Sequence, residues 1–372
     1  MRGGRLHLSL GAVALVAVVA LASPAASSVE DAIAHMTLKE KVGQLVMFSV
    51  VGRGLSEYER TAIARHHLAS VILFADNYDD RPQLEALTSQ IQRVVRRGND
   101  LGIGALISVD QEGGVVKRFP DMPPRYSAPE MGRIGRDSVA YDQGRATGRA
   151  LRGSGVNVNL APVADLDLPP SHVMRSRSFG SRPHRVGRLV KAFTRGMQRR
   201  RVAATGKHFP GLGGATINTD YGRAYVRRSR WQLRNVDAVP FHRAIAGGMR
   251  LIMVGHAMYV NDGGYRPASL NRHIAGRRLR SEFDFTGVAI SDALEAVAWK
   301  FDGNVSRACK ATIQAGVDVA LITGGVDRAQ TCAWRIRKGV KDGEIPLARI
   351  DRAVERVLRL KAWLGVFDPS RA

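Results

Sequence analysis

The chain is predicted to fold as an α/β protein, a single (β/α)8 TIM-type barrel in which a parallel sheet closes on itself inside a ring of helices. Three observations predict it. Eight short apolar, β-branched runs recur along the chain, each followed by a polar loop. Helical stretches separate most of them, for example 82–97 and 185–200, and such alternation argues for a parallel sheet. Eight strand–helix units in the roughly 345 residues that follow the N-terminal leader suit a closed barrel. An open doubly wound sheet is the runner-up, but no Gly-x-Gly-x-x-Gly opens the first helix after a strand.

The elements follow in order. Arg2 and Arg5 form a positive leader, Leu8 to Leu21 an apolar segment, and Ala22 to Ser27 a small-residue stretch suited to cleavage. Together they read as an export signal over residues 1–27, with an uncleaved N-terminal anchor as the alternative. The apolar run is too short and wrongly flanked for a membrane span, so no stable span is expected after cleavage. The barrel domain then covers residues 28–368. Its strand runs are 43–51, 70–75, 103–109, 156–163, 202–206, 251–254, 288–291 and 317–322. The stretch Pro346 to Leu364 reads as one closing helix. Pro346 suits its first turn, and Ile350, Val354, Val357 and Leu358 make an apolar stripe at helical spacing.

The formal net charge is +23. Nucleic-acid binding is the first class such a charge suggests. The export signal argues against it, and the cations are dispersed, with the densest cluster at Arg195 to Arg201. A solvated basic surface working near an anionic cell envelope fits better. Cys309 and Cys332 are the only cysteines. They lie in the helices before and after the last strand run, neighbours on the outer ring, and are expected to form a disulfide. Free buried thiols are the alternative.

Five of the eight strand exits carry acids or bases: Asp110; Asp165 and Asp167; Lys207 and His208; His256; and Asp292. The carboxyl ends of barrel strands are where ligands and chemistry sit. A rim rich in carboxylates and guanidinium groups suits a polyhydroxylated ligand, because carboxylates accept from hydroxyls and guanidinium groups donate to them. The glycines from Gly211 to Gly214 lack the spacing of a phosphate loop and are expected to form a mobile segment. His208 and His256 show no metal-ligand spacing, and no metal or organic cofactor is expected. No Gly-x-Ser-x-Gly supports a serine hydrolase.

Six segments in order resemble family 3 glycoside hydrolases, in particular the single-domain bacterial β-N-acetylhexosaminidases. They are Met36 to Leu45, Asp110-Gln111-Glu112-Gly113-Gly114 continuing to Arg118, Asn157 to Asp165, Arg177-Ser178-Phe179-Gly180, Lys207-His208-Phe209-Pro210-Gly211, and Ser291-Asp292-Ala293-Leu294-Glu295. The resemblance implies that Asp292 is the nucleophile and that Asp110, Arg118, Arg177, Lys207 and His208 hold the terminal sugar. The chain ends at the closing helix, without the sandwich domain of larger members, which favours the hexosaminidase branch over the two-domain glucosidases. One segment departs from the family. Leu212 stands where a second histidine usually follows Pro-Gly, and Asn218 and Asp220 stand where an Asp-x-His dyad supplies the acid/base. Asp220 is expected to take over as proton donor. Together with the export signal, the resemblance implies an exported retaining glycosidase that removes terminal β-linked sugars, N-acetylglucosamine foremost, with cell-wall glycan fragments as candidate substrates. The alternatives are a sugar-binding protein that lost turnover, a β-glucosidase, or a basic envelope or nucleic-acid binder.

Overall fold

The structure is a computed structural model and describes residues 24–371. Arg2, Arg5 and the segment Leu8 to Leu21 lie outside the described residues. The first helix, Pro24–His35, begins inside the small-residue stretch. Among the described residues no helix is long and apolar enough to cross a membrane.

Eight strands form one sheet: β1 (Val46–Ser49), β2 (Ser70–Leu73), β3 (Leu106–Val109), β4 (Val158–Asn159), β5 (Ala203–Phe209), β6 (Leu251–Val254), β7 (Val288–Ser291) and β8 (Ala320–Leu321). Each lies within or overlaps one predicted run. The order is β7-β6-β5-β4-β3-β2-β1-β8, with every neighbouring pair parallel. A parallel bridge between Ile290 and Val319 joins the two ends, so the sheet closes into a barrel. The strands are buried along their length, which is why they read as continuous apolar runs rather than alternating ones.

β4 is much shorter than its run because side chains take over the pairing. Asn157 Oδ1 accepts from Ile107 N at 2.8 Å, and its Nδ2 donates to Ala105 O at 2.9 Å. Asn159 makes the same pair of bonds to Gln111 N and O, both at 3.0 Å. A carboxamide presents one donor and one acceptor, as a peptide unit does, so two asparagines join β3 to β4 where the ladder stops.

The closing helix runs Leu347–Leu364. Pro346 caps it with an extended ψ of 136° instead of occupying its first turn, a correction of one residue. The stripe Ile350, Val354, Val357 and Leu358 is fully buried. Below the barrel, Asp318 sits just before β8 with a side chain 0% exposed. Its Oδ2 accepts from Arg280 Nη2 at 2.5 Å and from Ala289 N at 2.9 Å. Its Oδ1 accepts from Arg356 Nη1 at 3.1 Å and pairs with Arg349 Nη1 at 3.5 Å. One carboxylate therefore ties β7, β8, the preceding Arg272–Glu282 helix and the closing helix together. Lys361 of the same helix is buried and has no carboxylate partner among the described residues. Its Nζ donates to Gln44 Oε1 at 2.6 Å and Ala69 O at 3.1 Å. Burial pushes its pKa well below the usual lysine range.

Cys309, on the helix Val305–Ala315, is joined to Cys332, on Val326–Lys341, with Cα atoms 5.7 Å apart. Both are buried on the outer ring, where consecutive barrel helices meet, as their spacing predicts. Closing a loop over a separation of 23 residues removes unfolded-chain freedom worth roughly 3–4 kcal/mol in the loop-entropy model.

Candidate active site

The carboxyl ends of β3, β4, β5 and β7 bring together most of the predicted site residues. Lys207, 2% exposed, points between two carboxylates. Its Nζ lies 2.6 Å from Asp110 Oδ1 and 2.6 Å from Glu112 Oε1. Glu112 also takes a bidentate bond from Arg177, with Nε donating to Oε2 at 3.0 Å and Nη2 donating to Oε1 at 2.7 Å. The result is a chain of alternating charge, Asp110–Lys207–Glu112–Arg177.

Burial alone would favour neutral forms, but the mutual attraction is stronger. Desolvation raises the Glu112 carboxyl, and the Lys207 and Arg177 charges outweigh it, holding it at about 2. Burial lowers Lys207 and Arg177, and their carboxylate neighbours bring both above their usual values. Glu112, Lys207 and Arg177 therefore stay charged at neutral pH. Asp110 and Arg177 keep side chains 15% and 14% exposed, so both still face the rim. Asp110 Oδ2 and Arg177 Nη1, which make none of these bonds, are open to ligand hydroxyls.

The peptide between Lys207 and His208 is cis. Asp165, buried at the β4 exit, accepts from His208 Nδ1 at 2.6 Å and His208 N at 3.0 Å through Oδ2, and from Leu212 N at 2.7 Å through Oδ1. An ionised carboxylate can only accept, so Nδ1 carries the proton and Nε2 is left for a ligand.

Asp292 follows β7. Its amide donates to Val254 O at 3.0 Å, and its Oδ1 accepts from Ala293 N at 2.8 Å. Burial raises its pKa, but the potentials of His208, His256 and Lys207 and the Ala293 N–H outweigh this and bring it below the usual aspartate value. Asp292 is therefore an ionised, half-buried carboxylate beside the Lys207 cation, on the polar rim. His256, at the β6 exit, fixes the backbone beside it. Its Nε2 donates to Ala293 O at 2.8 Å and its Nδ1 meets Ser269 Oγ at 2.7 Å. A carbonyl only accepts, so Nε2 is protonated.

Arg118 stands on the rim near the β2 exit, its guanidinium 5.4 Å from the Phe74 ring centroid. Its Nε is buried and has no hydrogen-bond partner among the described residues. A buried donor left unpaired costs about 1–3 kcal/mol, which a ligand oxygen would recover.

Asp220 does not join this group. It is exposed, with Oδ2 accepting from Asn218 Nδ2 at 3.1 Å and its amide donating to Asn218 Oδ1 at 3.2 Å. The expected mobile segment Gly211 to Gly214 is a correction, because it is packed. Leu212 is buried, and a Cβ on Gly213 would lie 2.0 Å from Leu166 O, so only glycine fits. Tyr259 donates to Gly211 O at 2.9 Å, and Ser171 Oγ donates to Ala215 O. The loop opens to solvent beyond Ala215, where Tyr221 is 86% exposed.

Two features escaped the sequence-based site list. Glu112 is the hub of the charge chain, and its spacing of two from Asp110 in an extended segment was the available signal. The second is His172, whose Nδ1 meets Asp167 Oδ1 at 2.7 Å on the loop after β4. A separation of five in an irregular loop matches no secondary-structure period, so only the folded loop reveals that pair. Among the described residues no group of three or more His, Cys, Asp or Glu side chains is placed to hold a metal ion.

Known proteins resemble this chain over most of its length. A beta-hexosaminidase of Alkalilimnicola ehrlichii is 33% identical over 74% of this chain and 80% of its own. A protein of Arthroderma benhamiae, described as an uncharacterized secreted glycosyl hydrolase, is 31% identical over 88% of this chain and 94% of its own. The solved structure of a glycoside hydrolase family 3 beta-N-acetylglucosaminidase from Paenibacillus sp. str. FPU-7 superposes with a TM-score of 0.84 at 32% identity. That match covers 89% of this chain, which spans 63% of the Paenibacillus chain. Residues 37–360 match the family model for the glycosyl hydrolase family 3 N terminal domain, and the chain belongs to that family.

Proposed function

We propose that the protein hydrolyses terminal β-linked N-acetylglucosamine with retention of configuration, using Asp292 as nucleophile. One observation carries this: Asp292 is an ionised, half-buried carboxylate at a strand exit, beside a preformed array of charged hydrogen-bonding groups. The relatives named beta-hexosaminidase and beta-N-acetylglucosaminidase support the choice of sugar.

Asp110, Arg118, Arg177, Lys207 and His208 hold the sugar hydroxyls. Asp292 attacks the anomeric carbon as the glycosidic bond breaks, and an acid protonates the leaving oxygen. Water then attacks the glycosyl-enzyme ester, the same group takes its proton, and Asp292 leaves as carboxylate. No metal or organic cofactor enters these steps. Asp220 is the proton donor in this scheme, carried inward by the solvent-facing part of its loop. A second candidate is His172, because Asp167 orients its ring and neighbouring Ser171 bonds to Ala215 of that same loop.

Leaving-group dependence separates them. Asp220→Ala is expected to lower kcat/KM roughly 10²- to 10³-fold on chitobiose, a poor leaving group, and little on an activated aryl N-acetylglucosaminide. The same pattern in His172→Gln alone would assign the proton to His172. Unchanged rates in both variants would exclude both residues.

Residues 1–27 read as an export signal and 28–368 as the catalytic domain. Together with the fungal relative described as secreted, they support an exported enzyme at the cell envelope, with glycan fragments of the wall as substrates.

A further inference from the structure

We propose that the flank of the barrel along the helix Pro183–Gln198 binds an anionic glycan, a polysaccharide bearing carboxylate or phosphate groups.

One face of this helix is buried through Val186, Leu189, Val190, Phe193 and Met197, which fixes its orientation. The opposite face carries Arg185, Arg188, Lys191, Arg195 and, just past its end, Arg199, spaced three or four apart. Such spacing makes one stripe, about 24 Å long over the helix at ~1.5 Å per residue. Two cavities open along it. The first, about 520 Å³, is lined by Arg133, Arg175, Arg182 and Arg185, with Asp167 its only acid. The second, about 430 Å³, is lined by Arg188, Lys191, Arg195 and Arg243, with Asp137 its only acid.

These cations are poorly neutralised. The Arg175–Asp167 and Arg188–Asp137 separations are both 3.9 Å, too long for hydrogen bonds. Arg182, Lys191 and Arg195 have no ion pair among the described residues. Like charges held this close destabilise a fold, and a bound polyanion relieves the repulsion.

The shape selects the polyanion. The cavities are concave troughs between helices. Their aromatic lining residues are Tyr141, half-buried, and Phe179, buried, so bases find no stacking platform. Ser178, Phe179 and Gly180 line the first cavity and directly follow Arg177, so a chain in the trough emerges at the active-site rim. The site thus lies beyond the pocket for the terminal sugar and needs no turnover to be observed.

Binding to the full-length protein, followed by fluorescence anisotropy, tests this. The probes are labelled oligogalacturonate for carboxylates and phosphomannan for phosphates. Neutral chito-oligosaccharide, a DNA duplex of equal charge and phosphatidylglycerol vesicles are competitors. The expected result is binding of one or both anionic glycans, weakened by salt and reduced roughly tenfold or more by Arg188→Glu/Arg195→Glu. The reversal Arg337→Glu/Lys341→Glu, at a basic cavity on the helix Val326–Lys341, should change binding less than about twofold if the site is local. Unchanged hydrolysis of a small neutral aryl glycoside by the first variant would show that it is folded. Equal losses in both variants, tighter binding of duplex or vesicles, or no glycan binding would overturn the proposal. Neither glycan probe contains N-acetylglucosamine, so a failure here is distinct from a failure of the proposed hydrolysis.

Discussion

Asp292→Asn is expected to lower turnover on the order of 10⁴-fold or more while sparing sugar affinity. The carboxamide keeps the shape and can still accept from Ala293 N, so the β7 exit should hold its geometry. It is a poor nucleophile, and no ester to the anomeric carbon forms. The pH profile gives a second readout. Asp292 must be ionised to attack, and its pKa lies below the usual aspartate value because His208, His256, Lys207 and the Ala293 N–H outweigh its burial. The nucleophile's acid limb should therefore fall below the ordinary carboxylate range, with activity lost as pH drops through it. Steady-state kinetics and calorimetry with N-acetylglucosamine measure both parts. A variant that turns over at near wild-type rate would remove Asp292 from the nucleophile's role.

Asp318→Asn should produce the largest loss of stability, about 3 kcal/mol or somewhat more. The amide can still accept from Ala289 N, but Arg280, Arg349 and Arg356 then face one another without a counter-charge. Breaking a buried ion cluster from one side costs more than the cluster contributes, because the remaining charges stay desolvated. Thermal unfolding should show a drop on the order of 10 °C. Activity per folded molecule at 25 °C should be retained, since Asp318 lies at the opposite end of the strands from Asp292. A melting temperature within about 2 °C of wild type would show that the cluster does not hold the barrel closed.

Much of this was legible in the sequence for a physical reason. A strand covered on both faces must be apolar throughout, so Leu251–Val254 and Val288–Ser291 appear at their full lengths. β4 was overestimated because Asn157 and Asn159 pair through side chains, which a hydropathy pattern does not register. Asp110, Lys207, His208 and Asp292 were visible because each ends an apolar run. Arg177 was named only through the family resemblance, and its partner Glu112 went unrecognised, since a hub is defined by contacts across 65 and 95 residues of chain. The segment after Pro210 was misjudged as mobile. Glycine there serves close packing at Gly213 against Leu166, not flexibility.

The most direct test of the central claim is proton NMR of the first sugar released from p-nitrophenyl β-N-acetylglucosaminide by the wild-type protein. A retaining enzyme with a covalent Asp292 intermediate gives β-N-acetylglucosamine first, with the α anomer appearing only at the rate of mutarotation. The α anomer first, or no release of N-acetylglucosamine, would contradict it.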